Sequence, residues 1–487
     1  MAFPFAEGKS KVQPQATAPP TLWAELSSSG QNVLAPFTLS QEFPDQQWWQ
    51  NFHDPHLATY IQRALTFNPD LQNAVLRISE SQALMRQVRA AMFPTVNLQG
   101  TFIRQRTGGA ALAGSNNTLG SNQIGTGGTG AGANQLPNLS IPNTTYNIFS
   151  VPIVASYQLD LWGKNYLLTQ SAKKVVEEQK QAARALALTL ITNVATAYFN
   201  LLKADSQIQV LNSLIQNTQQ TLSIQQQLFQ TGISAYDPLL LTAENLATYQ
   251  QSLTQAQGQQ ALYAHQLMII TGMNPKTQTD IQRLSLDAIN FPAQIPVGVP
   301  GELVTRRPDI IQNELALEKA GIDVREARRE FLPTINLTGS FGFASRELSQ
   351  LFDWKNHAAS LISQASQSLF TGGAKMANLK LQKVRAEEQL KYYQSNLLHA
   401  YQQVEDSLSL LKADYGGYRT SLQEIDISNQ AVNLSETRFK QGISPKTDWL
   451  NAQRQLLTFQ QTAQQNKANS LIDLISLYGS LGGGYTP

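Results

Sequence analysis

The sequence has 487 residues, enough for two or three domains with a core of ample size. Charged residues make up only 14% of it, against roughly 25% in an average globular protein, and its net charge of +2 gives no reason to expect a nucleic-acid partner. Cysteine is absent, which excludes disulfides, cysteine-based metal sites and thiol nucleophiles.

Residues 1–56 predict an extended N-terminal segment. Residues 11–20 are rich in Pro, Gln and Ala, and residues 1–5 lack the basic and apolar pattern of an export signal, which we expect to have been removed. Trp48 and Trp49 suit either a membrane-interface anchor or core packing. His53 and His56, three residues apart and near Asp54, are interpreted as loop residues before the first helix and not as a metal site.

Residues 57–300 and 301–487 read as two copies of one unit. FPTVNLQGTF at 93–102 returns as LPTINLTGSF at 332–341, an offset of 239 residues. FQTGIS at 229–234 returns as FKQGIS at 439–444, an offset of 210. The first copy therefore carries 29 extra residues, which we assign to the Gly-, Asn-, Ser- and Thr-rich run 107–147, a long loop.

Each copy then predicts a β-hairpin, the first around loop 107–147 and the second over 334–370. Val96, Leu98 and Phe102 alternate with polar residues, as in a strand that faces lipid on one side. An ordinary soluble hairpin is the alternative. The fourth strand, 358–370, is the poorest in apolar residues. Phe352 and Trp354, in the loop before it, suit an aromatic belt or outer lip.

Each copy ends in a long helical hairpin, 164–271 and 374–480. Apolar residues recur every seven positions, which predicts coiled-coil packing. Gly416-Gly417 predicts an interruption in the second copy. Gly232 and Gly442 are suited to ending the outgoing helices, and Asp237-Pro238 and Ser444-Pro445 resemble an N-cap followed by a first-turn proline.

The strand count constrains the assembly. No stretch of eighteen apolar residues predicts a transmembrane helix, so contact with a membrane would depend on strands. A membrane barrel must close, and about eight strands is the minimum. With four strands per chain, three chains supply twelve, enough to leave a lumen. The predicted fold class is therefore a mixed one: an α-helical barrel of long hairpins plus a transmembrane antiparallel β-barrel, assembled as a trimer.

Several segments resemble the outer membrane factor family, the TolC-like and OprM-like channels, in its efflux branch. They are WWQNFHDP at 48–55, NPDL at 68–71, LDLWGK at 159–164 and AQR at 452–454, and the likeness runs from about residue 48 to 482. The resemblance implies a homotrimer in the Gram-negative outer membrane, its helices in the periplasm, with a periplasmic adaptor and an inner-membrane pump as partners. Many members of this branch begin with a lipidated cysteine, which this sequence lacks.

The function that follows is passive exit of substrates from a tripartite, RND-type multidrug efflux system. A duct for type I protein secretion is the alternative within this class. A structural coiled-coil protein would not explain the strands, and a periplasmic adaptor would show one helical hairpin, not two. No catalytic, cofactor or metal site is predicted.

Two sets of site residues are predicted. The hairpin ends should contact the adaptor: Thr231, Gly232, Ile233 and Ser234, and Gln441, Gly442, Ile443 and Ser444. A periplasmic gate should lie where the returning helices begin: Thr447, Asp448, Asn451 and Arg454, with Tyr236 and Asp237 as further candidates. Family members carry an acidic residue just before the Ala-Gln-Arg motif; here that position is Asn451, and Asp448 lies three residues earlier.

Overall fold

The computed structural model describes residue 23 and residues 38–107, 144–274 and 281–484. Most of the predicted N-terminal segment and most of loop 107–147 fall outside these ranges. Within them the helices are Pro55–Phe67 (α1), Pro69–Ala90 (α2), Lys164–Gln230 (α3), Asp237–Ile270 (α4), Leu303–Arg306 (α5), Pro308–Arg329 (α6), Ala374–Lys440 (α7) and Lys446–Ser480 (α8). The strands are Thr38–Ser40 (β1), Thr95–Leu98 (β2), Thr101–Thr107 (β3), Thr144–Leu159 (β4), Gln294–Pro296 (β5), Thr334–Ser345 (β6) and His357–Ser366 (β7).

The long helices α3 and α7 have 67 residues each, roughly 100 Å at 1.5 Å per residue. The expected interruption at Gly416-Gly417 is wrong, because α7 runs through both glycines. A Cβ at Gly417 would lie 3.1 Å from the Asn466 side chain of α8. The glycine therefore serves the close approach of two helices and not a break in one of them.

Two expected helix starts are shifted by one residue. Tyr236, not Asp237, is the N-cap of α4, and its side chain makes no capping hydrogen bond. Pro445, not Ser444, is the N-cap of α8. Pro238 lies in the first turn of α4, where its fixed φ suits the helix and it has no N–H to leave unpaired. Pro445 has extended backbone, with ψ 157°, and stands just before α8.

Two strand boundaries also differ from expectation. The expected loop 107–147 overlaps strands at both ends, since Thr107 belongs to β3 and Thr144–Asn147 to β4. The fourth strand runs over 357–366 and not 358–370. Its last pair is Ser366 with Thr334, and the residue before Thr334 is Pro333, which has no N–H to continue the ladder. Leu369 and Phe370 lie beyond the strand and are exposed.

The chain divides into two compact units, and each combines segments of both proposed copies. The first comprises residues 1–85, 171–321 and 382–487, as far as the structure describes them. The second comprises residues 86–170 and 322–381, again in their described part, and holds the five strands β2, β3, β4, β6 and β7. Strands β1 and β5 pair in parallel within the first unit.

The first unit has a large aromatic and aliphatic core. The ring of Trp48 lies 4.9 Å from that of Tyr478, and Phe52 lies 5.2 Å from Phe199 in an edge-to-face arrangement. Trp23 is buried, and its indole N–H donates to the Val297 carbonyl at 2.8 Å. Trp48 and Trp49 are both buried in this core. Of the two predicted roles, the structure therefore supports packing and not interfacial anchoring.

One window of α3 is long and apolar enough, by composition alone, to cross a membrane, and 44% of it is buried within the chain. The criterion of eighteen uninterrupted apolar residues excluded such a helix, whereas this window admits polar residues. Val194, Tyr198 and Leu202 of α3 are fully buried in the core of the first unit. Packing of the helix against that core is enough to explain an apolar segment here.

Candidate functional site: the two-faced sheet and the hairpin ends

The sheet of the second unit is built around β4. Strand β6 pairs antiparallel with one edge of β4, and β7 pairs antiparallel with β6. Strands β2 and β3 both pair with the other edge of β4 in one continuous register, with Leu98 opposite Ile153 and Phe102 opposite Phe149. Thus β2 and β3 behave as two parts of a single interrupted strand.

The two faces of this sheet differ in their share of apolar residues. Because side chains alternate along a strand, the register puts one set of apolar residues on a single face: Val96, Leu98, Phe102, Phe149, Val151, Ile153, Phe341, Phe343 and Leu361. Several of them are exposed, including Leu98 and Leu361. The opposite face carries polar residues, Asn97, Gln99, Ser150, Asn336, Thr338 and Ser340, together with the apolar Ile103, Ile148, Val154 and Ile362. Over the described strands, the first face is thus the more apolar of the two and the only one with phenylalanines, as expected for the side that would face lipid.

Two details of the sheet shape its edges and its centre. The outer edges of β7 and of β2 and β3 pair with no other strand in the described ranges. At the centre, Gly342 faces Pro152, and a Cβ there would lie 2.3 Å from the Pro152 Cα. Only glycine therefore allows β6 to approach β4 at this point.

The LDLWGK segment joins the sheet to the start of α3. The Asp160 carboxylate accepts the backbone N–H groups of Asn165 at 3.0 Å and Tyr166 at 2.8 Å, which caps α3. The Trp162 indole donates to the Pro333 carbonyl at 2.7 Å, immediately before β6. Lys164 lies 3.3 Å from the carboxylates of both Glu326 and Glu330. The motif therefore fixes where the helix leaves the sheet.

The two hairpin ends have matching geometry. Gly232 and Gly442 both have positive φ, 72° and 73°, which favours glycine. At each end the isoleucine after the glycine donates its N–H to a carbonyl five residues back, Leu228 in the first hairpin and Arg438 in the second, both at 2.9 Å. The glycine N–H groups donate to Phe229 and Phe439. Both helices thus end in a Schellman motif, as the glycines predicted.

The isoleucines that follow these glycines are exposed. Ile233 is 75% exposed and Ile443 is 69% exposed, on turns otherwise made of small and polar residues. Thr231 and Gln441 are exposed too, while Ser234 and Ser444 are half-buried. Each hairpin is closed by a ring contact, Phe229 with Tyr236 at 5.1 Å and Phe439 with Trp449 at 6.0 Å.

The predicted gate residues of the second hairpin share one side of α8. At 3.6 residues per turn, Thr447, Asp448, Asn451 and Arg454 fall within an arc of roughly 120°. Asp448 and Asn451 are exposed, and Thr447 and Arg454 are half-buried. The exposed face continues through polar residues alone: Gln455, Thr458, Thr462 and Gln465. Tyr236 and Asp237 are exposed at the start of α4, in the other hairpin.

Sequence reasoning missed the side chain that ties the start of α8 to α3. Asn217 of α3 is buried, and its amide N–H donates to the Leu450 carbonyl at 3.1 Å and to Gln453 Oε1 at 3.3 Å. The Gln of the Ala-Gln-Arg motif therefore has a structural partner. Comparison of the two copies could have found it. The position equivalent to Asn217 at offset 210 is the apolar Ile427, so a polar residue here departs from the repeat.

A cluster of ionisable groups lies where α3, α7 and α8 meet in the first unit. Burial, and then the neighbouring Asp414 carboxyl, raise the pKa of Asp473 to about 7. Lys203 of α3 donates to the Asn469 side chain at 2.8 Å, and burial lowers its pKa while Asp414 opposes that change. The two carboxyls can thus share a proton close to neutral pH.

Comparison with known proteins gives consistent matches over most of the chain. The model of the family described as outer membrane efflux protein matches residues 60–273 and 299–483. The efflux pump outer membrane protein TtgC of Pseudomonas putida is 27% identical over 450 residues, covering 91% of this chain and 86% of the relative. The cation efflux system protein CusC of Escherichia coli is 27% identical over 463 residues, covering 94% and 92%. The pyoverdine export outer membrane protein OpmQ of Pseudomonas putida is 28% identical over 467 residues, covering 96% and 94%.

Solved structures share the fold. The outer-membrane channel OprN superposes with a TM-score of 0.80 at 24% identity, covering 96% of this chain and 98% of that one. The open state of the Neisseria gonorrhoeae MtrE outer membrane channel gives a TM-score of 0.78 at 24% identity, covering 97% and 98%.

Proposed function

The chain belongs to the outer membrane efflux protein family, and from this premise we propose that three copies close one membrane barrel and one helical tunnel. It is an outer-membrane efflux channel and not an enzyme. In the assembly proposed here, the helical hairpins lie in the periplasm, and substrates pass outward without chemical change. No cofactor is required, since conduction through a lumen involves no bond making.

The open edges of the sheet support this assembly. Lipid cannot satisfy unpaired strand edges, so the sheet must pair with other copies once it is in a membrane. Counting β2 and β3 as one interrupted strand gives four strands per copy. Two copies would form a small barrel filled by its own side chains, whereas three give twelve strands and a lumen. The polar face of the sheet would line that lumen.

We propose a periplasmic adaptor and an inner-membrane pump of the RND type as the working partners. The named relatives belong to systems for cations, for pyoverdine and for other efflux substrates. One channel architecture serving such different cargo fits a duct whose pump selects the substrate. The alternative, a type I protein secretion duct, would use the same architecture, and deletion of candidate pump genes distinguishes the two.

The hairpin ends are the proposed adaptor contacts. Two exposed isoleucines at matching positions offer a small apolar patch that water does not favour and that a partner helix could cover. The double variant Ile233→Asp with Ile443→Asp should lose efflux while keeping normal trimer and membrane levels. The control is Gln219→Asp with Asn429→Asp, at matching exposed polar positions about three helical turns before the hairpin ends. Normal drug resistance in the isoleucine variant would contradict docking at these ends.

The polar face of α8 is the proposed gate. Three-fold symmetry would turn Asp448 and Asn451 into rings at the narrow end of the tunnel, where like charges repel unless cations bind between them. Thr447 would add an inward contact, and Arg454 would hold the closed state by bonding to a neighbouring copy. Tyr236 and Asp237 would contribute from the first hairpin.

Single-channel recording in planar bilayers tests this gate. Asp448→Asn should raise closed-state conductance or weaken block by divalent cations, because it removes the ring of negative charge. Arg454→Gln should raise closed-state conductance as well. Asp426→Asn, an exposed acid on α7, is the control. If Asp448→Asn and Arg454→Gln both leave current and cation block unchanged, the constriction lies elsewhere.

A further inference from the structure

Two arginines lie on the apolar face of the sheet. Strands β2 and β3 share one register against β4, so the alternation of side chains continues from Leu98 to Phe102 and on to Arg104 and Arg106. Arg104 stands opposite Asn147 and Arg106 opposite Thr145, beyond the last aromatic pair of these strands, Phe102 with Phe149. Both arginines are exposed.

Arg104 and Arg106 lie near one rim of the sheet, beyond its apolar residues. At about 3.4 Å per residue, Arg104 and Arg106 stand roughly 7 and 14 Å beyond Phe102 along the strand. Their rim of the sheet is opposite the one where β4 leads into α3. The same rim carries the turn between β6 and β7. In the channel proposed above, on which this step rests, this rim is the outer one.

The free-energy cost of an arginine that faces lipid is lower at such a rim than at the middle of the bilayer. An arginine facing lipid costs about 2–4 kcal/mol at the middle of a bilayer but only about 0–1 kcal/mol near its interface. Anionic lipid headgroups lie at that interface, and a guanidinium binds phosphate through two parallel N–H bonds. Neither arginine pairs with a carboxylate in the part of the chain that the structure describes.

A third arginine at the same rim provides contrast. Arg346, directly after β6, stacks over the Tyr146 ring at 5.8 Å, and the Tyr146 hydroxyl donates to Gln105 at 3.0 Å. Tyr146 and Gln105 face each other on the polar side of the sheet, the side away from Arg104. Arg346 thus has a protein partner on the proposed lumen side.

We propose that Arg104 and Arg106 form a binding site for the phosphate groups of membrane-lipid headgroups in the outer leaflet. The aromatic pair below them would contact the acyl region. The bound lipid would lie against β3, the edge strand through which copies of the chain are proposed to pair.

The test is native mass spectrometry of the full-length channel in detergent, titrated with lipid A, a glycolipid carrying two phosphates. The variant Arg104→Gln with Arg106→Gln should bind lipid A at least about tenfold more weakly, because each charge-assisted hydrogen bond is worth about 1.5–3 kcal/mol. Arg346→Gln should bind like the parent. Diacylglycerol, which carries no phosphate, should bind parent and variants equally weakly.

Three outcomes would overturn the proposal: equal lipid A binding by parent and double variant, equal loss in Arg346→Gln, or full displacement of lipid A by millimolar inorganic phosphate. The last would identify a site for the free ion. The variant Arg104→Lys with Arg106→Lys checks folding, since it keeps the charge and should retain part of the binding. Conductance of the same samples is read separately, so failure of the channel proposal is distinguishable from failure of the lipid site.

Discussion

A buried tyrosine and a buried aspartate join the start of α1 to α3. The Tyr198 hydroxyl donates to the Asp54 carboxylate at 2.6 Å, and the same carboxylate caps α1 by accepting the His56 N–H at 2.8 Å. Burial, and then this hydrogen bond, raise the pKa of Tyr198, so its hydroxyl stays protonated as a donor. Both carboxylate oxygens of Asp54 therefore accept hydrogen bonds from within the chain. Its position between two histidines reflects capping and core packing. His53 lies before α1 as expected, whereas His56 lies in the first turn of that helix and not in a loop.

The paired carboxyls Asp473 and Asp414 give a prediction about pH. The pKa of Asp473 is higher in the folded chain, about 7, than its ordinary value of 3.8. The folded state therefore holds more protons between these values, and this group's contribution to the free energy of unfolding falls as pH rises through the window. We expect Asp473→Asn to stabilise the protein at pH 8 relative to the parent, by on the order of 1 kcal/mol after allowance for solvent access.

The measurement is thermal unfolding of detergent-solubilised protein between pH 5 and 8. The difference in Tm between Asp473→Asn and the parent should grow with pH, since the variant does not titrate there. Thr462→Val, at an exposed position on the same helix, should show a difference that does not vary with pH, because neither residue titrates. A constant difference for Asp473→Asn would mean that Lys203 neutralises the pair across the whole range.

At the scale of the element, the hairpins were the most predictable part of the chain. The length of α3 followed from a run without Gly or Pro, that of α7 from its seven-residue spacing, and the ends of both helices from Gly232 and Gly442. The continuation of α7 through Gly416-Gly417 could not be predicted in the same way, because a glycine inside a helix is compatible with either a break in the helix or close packing against a neighbour. The neighbour, Asn466, comes from another helix. The role of Asn217 could not be predicted for the same reason, since its partners Leu450 and Gln453 are over two hundred residues away in the sequence.

That tether predicts a link between α3 and the proposed gate. Asn217→Leu keeps the volume of the buried side chain but removes both hydrogen bonds to α8, which should lower the free energy of unfolding by about 1–2 kcal/mol. With its first turns released, α8 should also open more readily, which raises closed-state conductance. Asn212→Leu, at an exposed position on α3, is the control. Identical Tm and conductance in the two variants would show that the tether does not matter.

At the scale of the whole molecule, the sequence patterns predicted the types of element correctly but not how the elements group into compact units. Alternation in the strands and seven-residue spacing in the helices predicted both kinds of structure, because each pattern follows from one element alone. The compact units did not follow from the sequence copies. Each unit combines parts of both copies, since the strands β4 and β6 come from different copies and pair with each other. Pairing between strands so distant in the sequence depends on tertiary structure, and a local sequence pattern does not predict it.

The unpaired edges of the sheet have a genetic consequence. The proposed barrel draws its strands from three chains, so a cell that makes normal and defective chains in equal amounts would assemble only about one in eight channels wholly from normal copies. A defective gate in one copy would then affect its neighbours. Expressing Asp448→Asn from a plasmid beside the chromosomal gene should therefore alter drug resistance in a dominant manner. A variant that cannot pair its edge strands should instead be recessive, because its chains never enter the mixed assemblies.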